Sequence, residues 1–269
     1  MHNLKSLYIF FVIVSLTIFF FSTANVKAKS FEIKDIEISK PFENNFNKNR
    51  VINSGFKKAF KRLIKTLVKS SDYIKIDKIG LNEIKSMIDS FSIKEEKFID
   101  QTYYVNLGVS FNKKKIFNYL EEKNIFPSQI KKEQFLFIPI IIDEKINDLT
   151  IFTNNEIYNK WNTIHEKHHL INYLLPTEDL EDLSIIKKKF DYIENYDFDE
   201  IIKKYYIDNC IIALIFKDGQ EIRILSKIIN KNKVVIKNDS FPKFDLQNNE
   251  KIEFLISKLK IIYEDSWKE

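Results

Sequence analysis

The sequence predicts an α+β protein, two consecutive α/β units with mostly antiparallel sheets behind an N-terminal signal helix. Three observations carry this. Apolar residues recur at spacings of three and four from Asn47 to Lys69, the period of a helix with one buried face. Short alternating or wholly apolar runs, some closed by turn residues, recur through the rest of the chain as strands do. An apolar run near the N-terminus ends in small residues, as a secretory signal does.

The elements follow in chain order. Met1 to Lys5 carries one lysine, Leu7 to Phe21 is apolar except for Ser15 and Thr17, and Ser22 to Ala28 ends in a small-x-small site. Residues 1–28 therefore read as a signal peptide cleaved after Ala28, which directs the rest to the periplasm. The alternative is an uncleaved signal helix that anchors the protein to the inner membrane, although the run is short beside the about 20 residues of a spanning helix. No cysteine follows the run to carry a lipid.

Residues 29–127 form the expected N-terminal α+β domain. Phe31 to Ile38 alternates as a strand with one slip of phase that fits a bulge. The helix of Asn47 to Lys69 buries Val51, Ile52, Phe56, Ala59, Phe60, Leu63, Ile64, Leu67 and Val68. A second helix, Asn82 to Ser90, would bury Ile84, Met87 and Ile88. Strands follow at Phe91 to Ile99 and Tyr103 to Phe111, then a helix through Leu120 that Asn112 is placed to cap.

Residues 130–265 form the expected C-terminal α+β domain. Phe135 to Ile142 is apolar throughout, which suits the centre of a sheet. Helices are expected at Asn155 to His169, Asp179 to Phe190 and Asp197 to Tyr206. Strands are expected at Cys210 to Lys217, Glu221 to Ile229 and Lys233 to Asn238, the first two joined by a turn at Asp218-Gly219. A last helix runs from Asn249 to Tyr263.

Composition narrows the function. Only 4 Gly and 5 Pro argue against flexible linkers and make a dinucleotide-binding loop implausible. The net charge of +5 comes from 43 basic and 38 acidic residues, and loss of Lys5 and Lys27 with the signal reduces the excess to three. So small an excess does not drive nucleic-acid binding without a clustered face. The single cysteine, Cys210, lies in an apolar run and reads as a buried, inert thiol.

Three clusters invite chemistry. His165-Glu166-Lys167-His168-His169 satisfies H-E-x-x-H, in which His165 and His169, one helical turn apart, bind zinc and Glu166 activates water. Glu194 is a conceivable third ligand. Against the match, Lys167 stands where a core-packed active helix disfavours charge, and a polar helix end with histidines near the C-terminal dipole explains the same residues. Glu178, Asp179, Glu181 and Asp182 put four carboxylates in five positions. They lack the glycine and alternating oxygen ligands of a calcium loop and suit a helix N-terminus capped by Thr177 or Asp179. The Asn47 to Lys69 helix carries Lys57, Lys58, Lys61, Arg62, Lys65 and Lys69 beside its apolar stripe. That face would meet acidic lipid headgroups weakly and detach in high salt, or it is the solvated side of the helix.

Arg50, Gly55, Ala59-Phe60, Arg62-Leu63 and Leu67 follow a short strand behind the signal. Tyr103 to Phe111, Phe135 to Ile140 with Pro139, Asn155, Trp161, Leu175-Pro176 and the pair Asp179 and Asp182 come after them. This order resembles the exported bacterial proteins grouped as DUF2066, over roughly Phe31 to Phe216. Glu178 departs from the glycine expected before Asp179. The resemblance implies a periplasmic or envelope-associated protein and transfers no catalytic residue. The expected function is a non-enzymatic binding or scaffolding module of the cell envelope that needs no cofactor. It would meet another envelope protein or peptide through an apolar patch or sheet edge, with surface aromatics around Trp161 and Tyr158 as candidates. The alternative is a zinc-dependent hydrolase using His165, Glu166 and His169.

Overall fold

The computed structural model describes residues 30–163, 169–219, 221–230 and 233–268; residues 1–28, expected to be a signal peptide, lie outside them. Helices, one antiparallel sheet and one mixed sheet make up an α+β fold. The chain divides into two compact units. One takes in the sequence as far as Leu63 together with Lys75–Phe126, and the other takes in Ile64–Ile74 and everything from Pro127 onward.

The first unit is a three-stranded antiparallel sheet, ordered β1 (Ser30–Pro41), β3 (Thr102–Asn112), β2 (Ile88–Ile99), packed against the part of helix α1 (Lys48–Leu67) that runs to Leu63. The alternation of β3 aims Tyr103, Val105, Leu107, Val109 and Phe111 into the core, where they meet the apolar stripe of α1. Phe60 contacts the rings of both Phe111 and Tyr119, and Phe56 meets Phe91. Gly55 lets the helix approach the sheet closely: a Cβ there would fall 2.4 Å from Leu107 Cδ1. The slip of phase in β1 is a register shift between Ile33 and Ile36, with Asp35 at φ 56°. Helix α2 (Leu81–Ser86) ends before the expected Ser90, because Ile88 already pairs with Phe111 at the start of β2. Asn112 caps α3 (Lys113–Glu122) by accepting from Lys115 N at 3.0 Å.

The second unit is built on a six-stranded sheet. Its order is β5 (Asp148–Thr150), β4 (Glu133–Asp143), β7 (Asn209–Asp218), β8 (Glu221–Asn230) and β9 (Lys233–Pro242), with β6 (Ile171–Leu174) also pairing with β4. β4 runs parallel to β6 and β7, and the other pairs are antiparallel. Both faces of β4 and β7 are covered, which is why these strands are apolar throughout instead of alternating. Phe135, Phe137, Ile211, Ala213 and Ile215 face α4 (Glu156–Trp161) and the long C-terminal helix α7 (Asn249–Trp267). Leu136, Ile138, Ile140, Ile212 and Leu214 face α5 (Leu180–Lys188) and α6 (Asp199–Lys203). β5, β6 and the shortness of α4 and α6 are departures from the expected elements.

Along the β4 edge that carries β6 and β5, neither strand reaches residues 137–140. The buried Asn155 fills that gap. Its amide donates to Pro139 O at 3.1 Å and Thr150 O at 3.3 Å, and its oxygen caps α4 by accepting from Ile157 N and Tyr158 N. At the 64–74 segment, Lys268 Nζ donates to the carbonyls of Lys65 and Val68, and Asp265 accepts from Ser70.

Candidate functional site

The histidine-bearing segment is where the sequence places metal chemistry. Helix α4 ends at Trp161, so the helix expected through His169 stops two turns early. His165 and Glu166 lie outside the described residues. His169 is described, and it belongs to no helix: it stands just before β6 with its side chain largely buried and Nδ1 3.4 Å from Glu264 Oε1. Glu194, the conceivable third ligand, instead pairs with Arg223 at 2.7 Å, and Arg223 lies over the Phe216 ring. Among the described residues no group of three His, Cys, Asp or Glu side chains is placed to hold a metal ion.

What the structure builds here is an anchorage on α7. Glu264 Oε1 accepts from Leu170 N at 2.7 Å and Ile171 N at 2.8 Å. One helical turn earlier, Lys260 Nζ donates to Trp161 O at 2.8 Å, a carbonyl in the last turn of α4 that the helix leaves open. The ammonium also lies 5.4 Å from the centre of the Trp161 ring and 5.7 Å from that of Tyr173. Spaced four apart, the two side chains share a face of α7 and hold the end of α4 and the start of β6. Both are buried, and neither was anticipated from the sequence. Trp161 Nε1, Tyr173 Oη and Glu264 Oε2 are buried around them, with no hydrogen-bond partner among the described residues. Burial first, and then the nearby Glu264 charge, hold the Tyr173 phenol well above its usual range.

The expectation that Trp161 and Tyr158 are surface aromatics is corrected. Trp161 is fully buried and stacked 3.8 Å from Phe137, and Tyr158 is half-buried with its hydroxyl donating to Pro176 O at 2.7 Å. Trp161 is the last residue of a short amphipathic helix, so its ring turns into the core.

The acidic cluster is a helix cap. Asp179 Oδ1 accepts from Glu181 N and Asp182 N at the start of α5. Lys204 supplies the counter-charge, with Nζ 2.6 Å from the buried Asp182, 3.1 Å from Asp179 and 3.9 Å from Glu181. The Lys204 hydrogen bond pulls the Asp179 carboxyl below the usual range.

On α1, Lys58 donates to Glu37 O at 2.9 Å and Arg62 to Lys34 O at 2.6 Å, so part of the basic face occupies carbonyls of the edge strand β1. Lys48 pairs with Glu96. The opposite edge, β2, carries no such cover among the described residues. Phe91, Ile93 and Phe98 project from it on the helix side at 49%, 38% and 55% exposure, and Phe42 packs on Phe98 with ring centres 4.8 Å apart. Register shifts at Ile88/Ser90 and Ile93/Glu95, with Lys94, Glu95, Glu96 and Lys97, interrupt the backbone edge beside this apolar strip.

No family model matches the chain, and no curated protein is similar to it.

Proposed function

We propose that this is an exported cell-envelope protein acting as a non-enzymatic binding or scaffolding module, and that it belongs with the DUF2066 proteins it resembles. The observation that supports this reading is the apolar strip of Phe42, Phe91, Ile93 and Phe98 left exposed along β2. Contiguous apolar side chains at a sheet edge mark protein contacts, whereas scattered ones do not. The bulges and charges beside the strip hinder indiscriminate strand pairing and leave recognition to the side chains. The partner is another envelope protein or peptide with complementary apolar side chains.

Export is tested by the mass of the protein in a periplasmic fraction, which should start after Ala28. Binding is tested by placing a photo-crosslinking amino acid at Phe98, with Tyr206, 96% exposed in the other unit, as the control position. A discrete adduct from position 98 that vanishes when Phe91→Ser and Ile93→Ser are added supports the reading. Equal adducts from both positions, or none from 98, overturn it.

A further inference from the structure

The last strand of the larger sheet is an edge of a different kind. β9 pairs with β8 over its whole length, from Glu221↔Pro242 to Asn230↔Lys233, with no register shift. Its other side pairs with no strand among the described residues. Val235 and Phe241 turn toward the core, while Val234 and Ile236 stand 58% exposed. Among the described residues β9 shows neither the side-chain donors of β1 nor the bulges of β2, and its proline comes only at the final position. Such an edge is a template for another strand.

Its sequence says which strand. Read antiparallel to itself about Asn238, Lys237 faces Asp239 twice, Val235 faces Phe241 and Ile236 faces Ser240. Residues equidistant from the centre lie on the same side of a sheet, so each facing pair is a true cross-strand neighbour. A centre one residue earlier sets Lys237 against itself, and like charges directly opposite are unfavourable. Lys237 and Asp239 lie on the partly buried side of the strand, and Ile236, Asn238 and Ser240 on its exposed side. We infer that the protein forms a two-fold dimer by antiparallel β9–β9 pairing centred on Asn238, with Lys237 of each copy on Asp239 of the other. This surface is independent of the β2 strip.

The test is the mass of the exported, full-length folded protein by sedimentation and light scattering across a dilution series. The wild type should dimerise. Lys237→Asp and Asp239→Lys each oppose like charges and should weaken dimerisation on the order of tenfold or more. The double variant should restore it, and mixing the two single variants should give a heterodimer, because only this register sets 237 against 239. Circular dichroism checks folding, and Ile236→Lys, on the exposed side, should break the dimer if Asp239→Lys does not fold. A wild type that stays monomeric at its highest soluble concentration overturns the proposal. So does a dimer indifferent to Ile236→Lys, or one that the double charge exchange fails to restore.

Discussion

Replacing Glu264 by leucine and by glutamine measures what the anchorage on α7 contributes. Leucine removes the acceptor and leaves two buried N–H groups, Leu170 and Ile171, unsatisfied, at about 1–3 kcal/mol each. Removing a buried charge returns part of that, so the net loss is about 2–4 kcal/mol. Glutamine keeps a carbonyl oxygen in place and forfeits only the charge assistance, about 1 kcal/mol per bond before the same offset, for about 0–2 kcal/mol net. With a urea slope of about 3 kcal/mol per molar for a chain of this size, leucine should lower the midpoint by about 1 M and glutamine by at most about 0.7 M. Because the chain folds as two units, amide exchange at Leu170 and Ile171 is the sharper assay, and both amides should exchange faster in the leucine variant. If Glu264→Leu stays within about 0.5 kcal/mol of wild type with both amides protected, the anchorage reasoning is wrong.

Other outcomes follow from particular side chains. Gly55→Ala gains about 1 kcal/mol of helix propensity but drives a methyl into Leu107, an overpacking cost of about 1–3 kcal/mol, so thermal unfolding should show loss or no change, never the full gain. Cys210 is buried and its thiol is pushed far up by burial, so a thiol-titrating reagent should react only in denaturant. Hydrogen bonds from Lys217 to Asp143, from Lys204 to Asp179 and from Lys48 to Glu96 hold these carboxyls below their usual range. A depressed folded-state value means stability fully present above the unfolded carboxylate range near pH 4 and lost as pH falls through the folded values. Urea midpoints against pH should show that acid limb, and Lys204→Met should flatten it. Metal analysis of untagged protein should find no stoichiometric zinc; one zinc per chain, lost in His165→Ala and His169→Ala, would establish the hydrolase reading instead.

Much of the fold was legible because period and burial coincide. The α1 stripe, the alternation of β3 and the unbroken apolar runs of β4 and β7 each follow from the faces they cover. What was not legible depends on partners distant in sequence. Nothing local marks Asp148–Thr150 or Ile171–Leu174 as strands, since each is defined by the β4 backbone beside it. Helix α2 stops at Ser86 because pairing with β3 claims Ile88, overriding a helical pattern that continues through it. Trp161 and Tyr158 look like surface aromatics until the short α4 turns them inward. One signal for the anchorage was present: Lys260 and Glu264 fall on the stripe of Ile252, Ile256, Leu259 and Tyr263, and a charge on an apolar stripe has a buried partner or a task.

Topology defines that task. β4 and β7 are parallel, so the chain must cross over between them, and the crossover carries α4, the histidine segment and β6. β6 begins at Ile171 opposite Glu133, the first residue of β4, and Glu133 N donates to Leu170 O at 3.0 Å. Leu170 and Ile171 therefore lie at the amino ends of the parallel strands β4 and β6. In open sheets with parallel strands, ligand crevices gather at the carboxyl ends. A buried glutamate at the amino ends and a buried lysine one turn away, spent on backbone groups at the start of β6 and the end of α4, act as fasteners. They let a connection with few apolar residues of its own leave α4 and start β6 in a fixed register. That register sets which of the β6 side chains, Ile171 and Tyr173, enter the core beside Phe137 and Trp161.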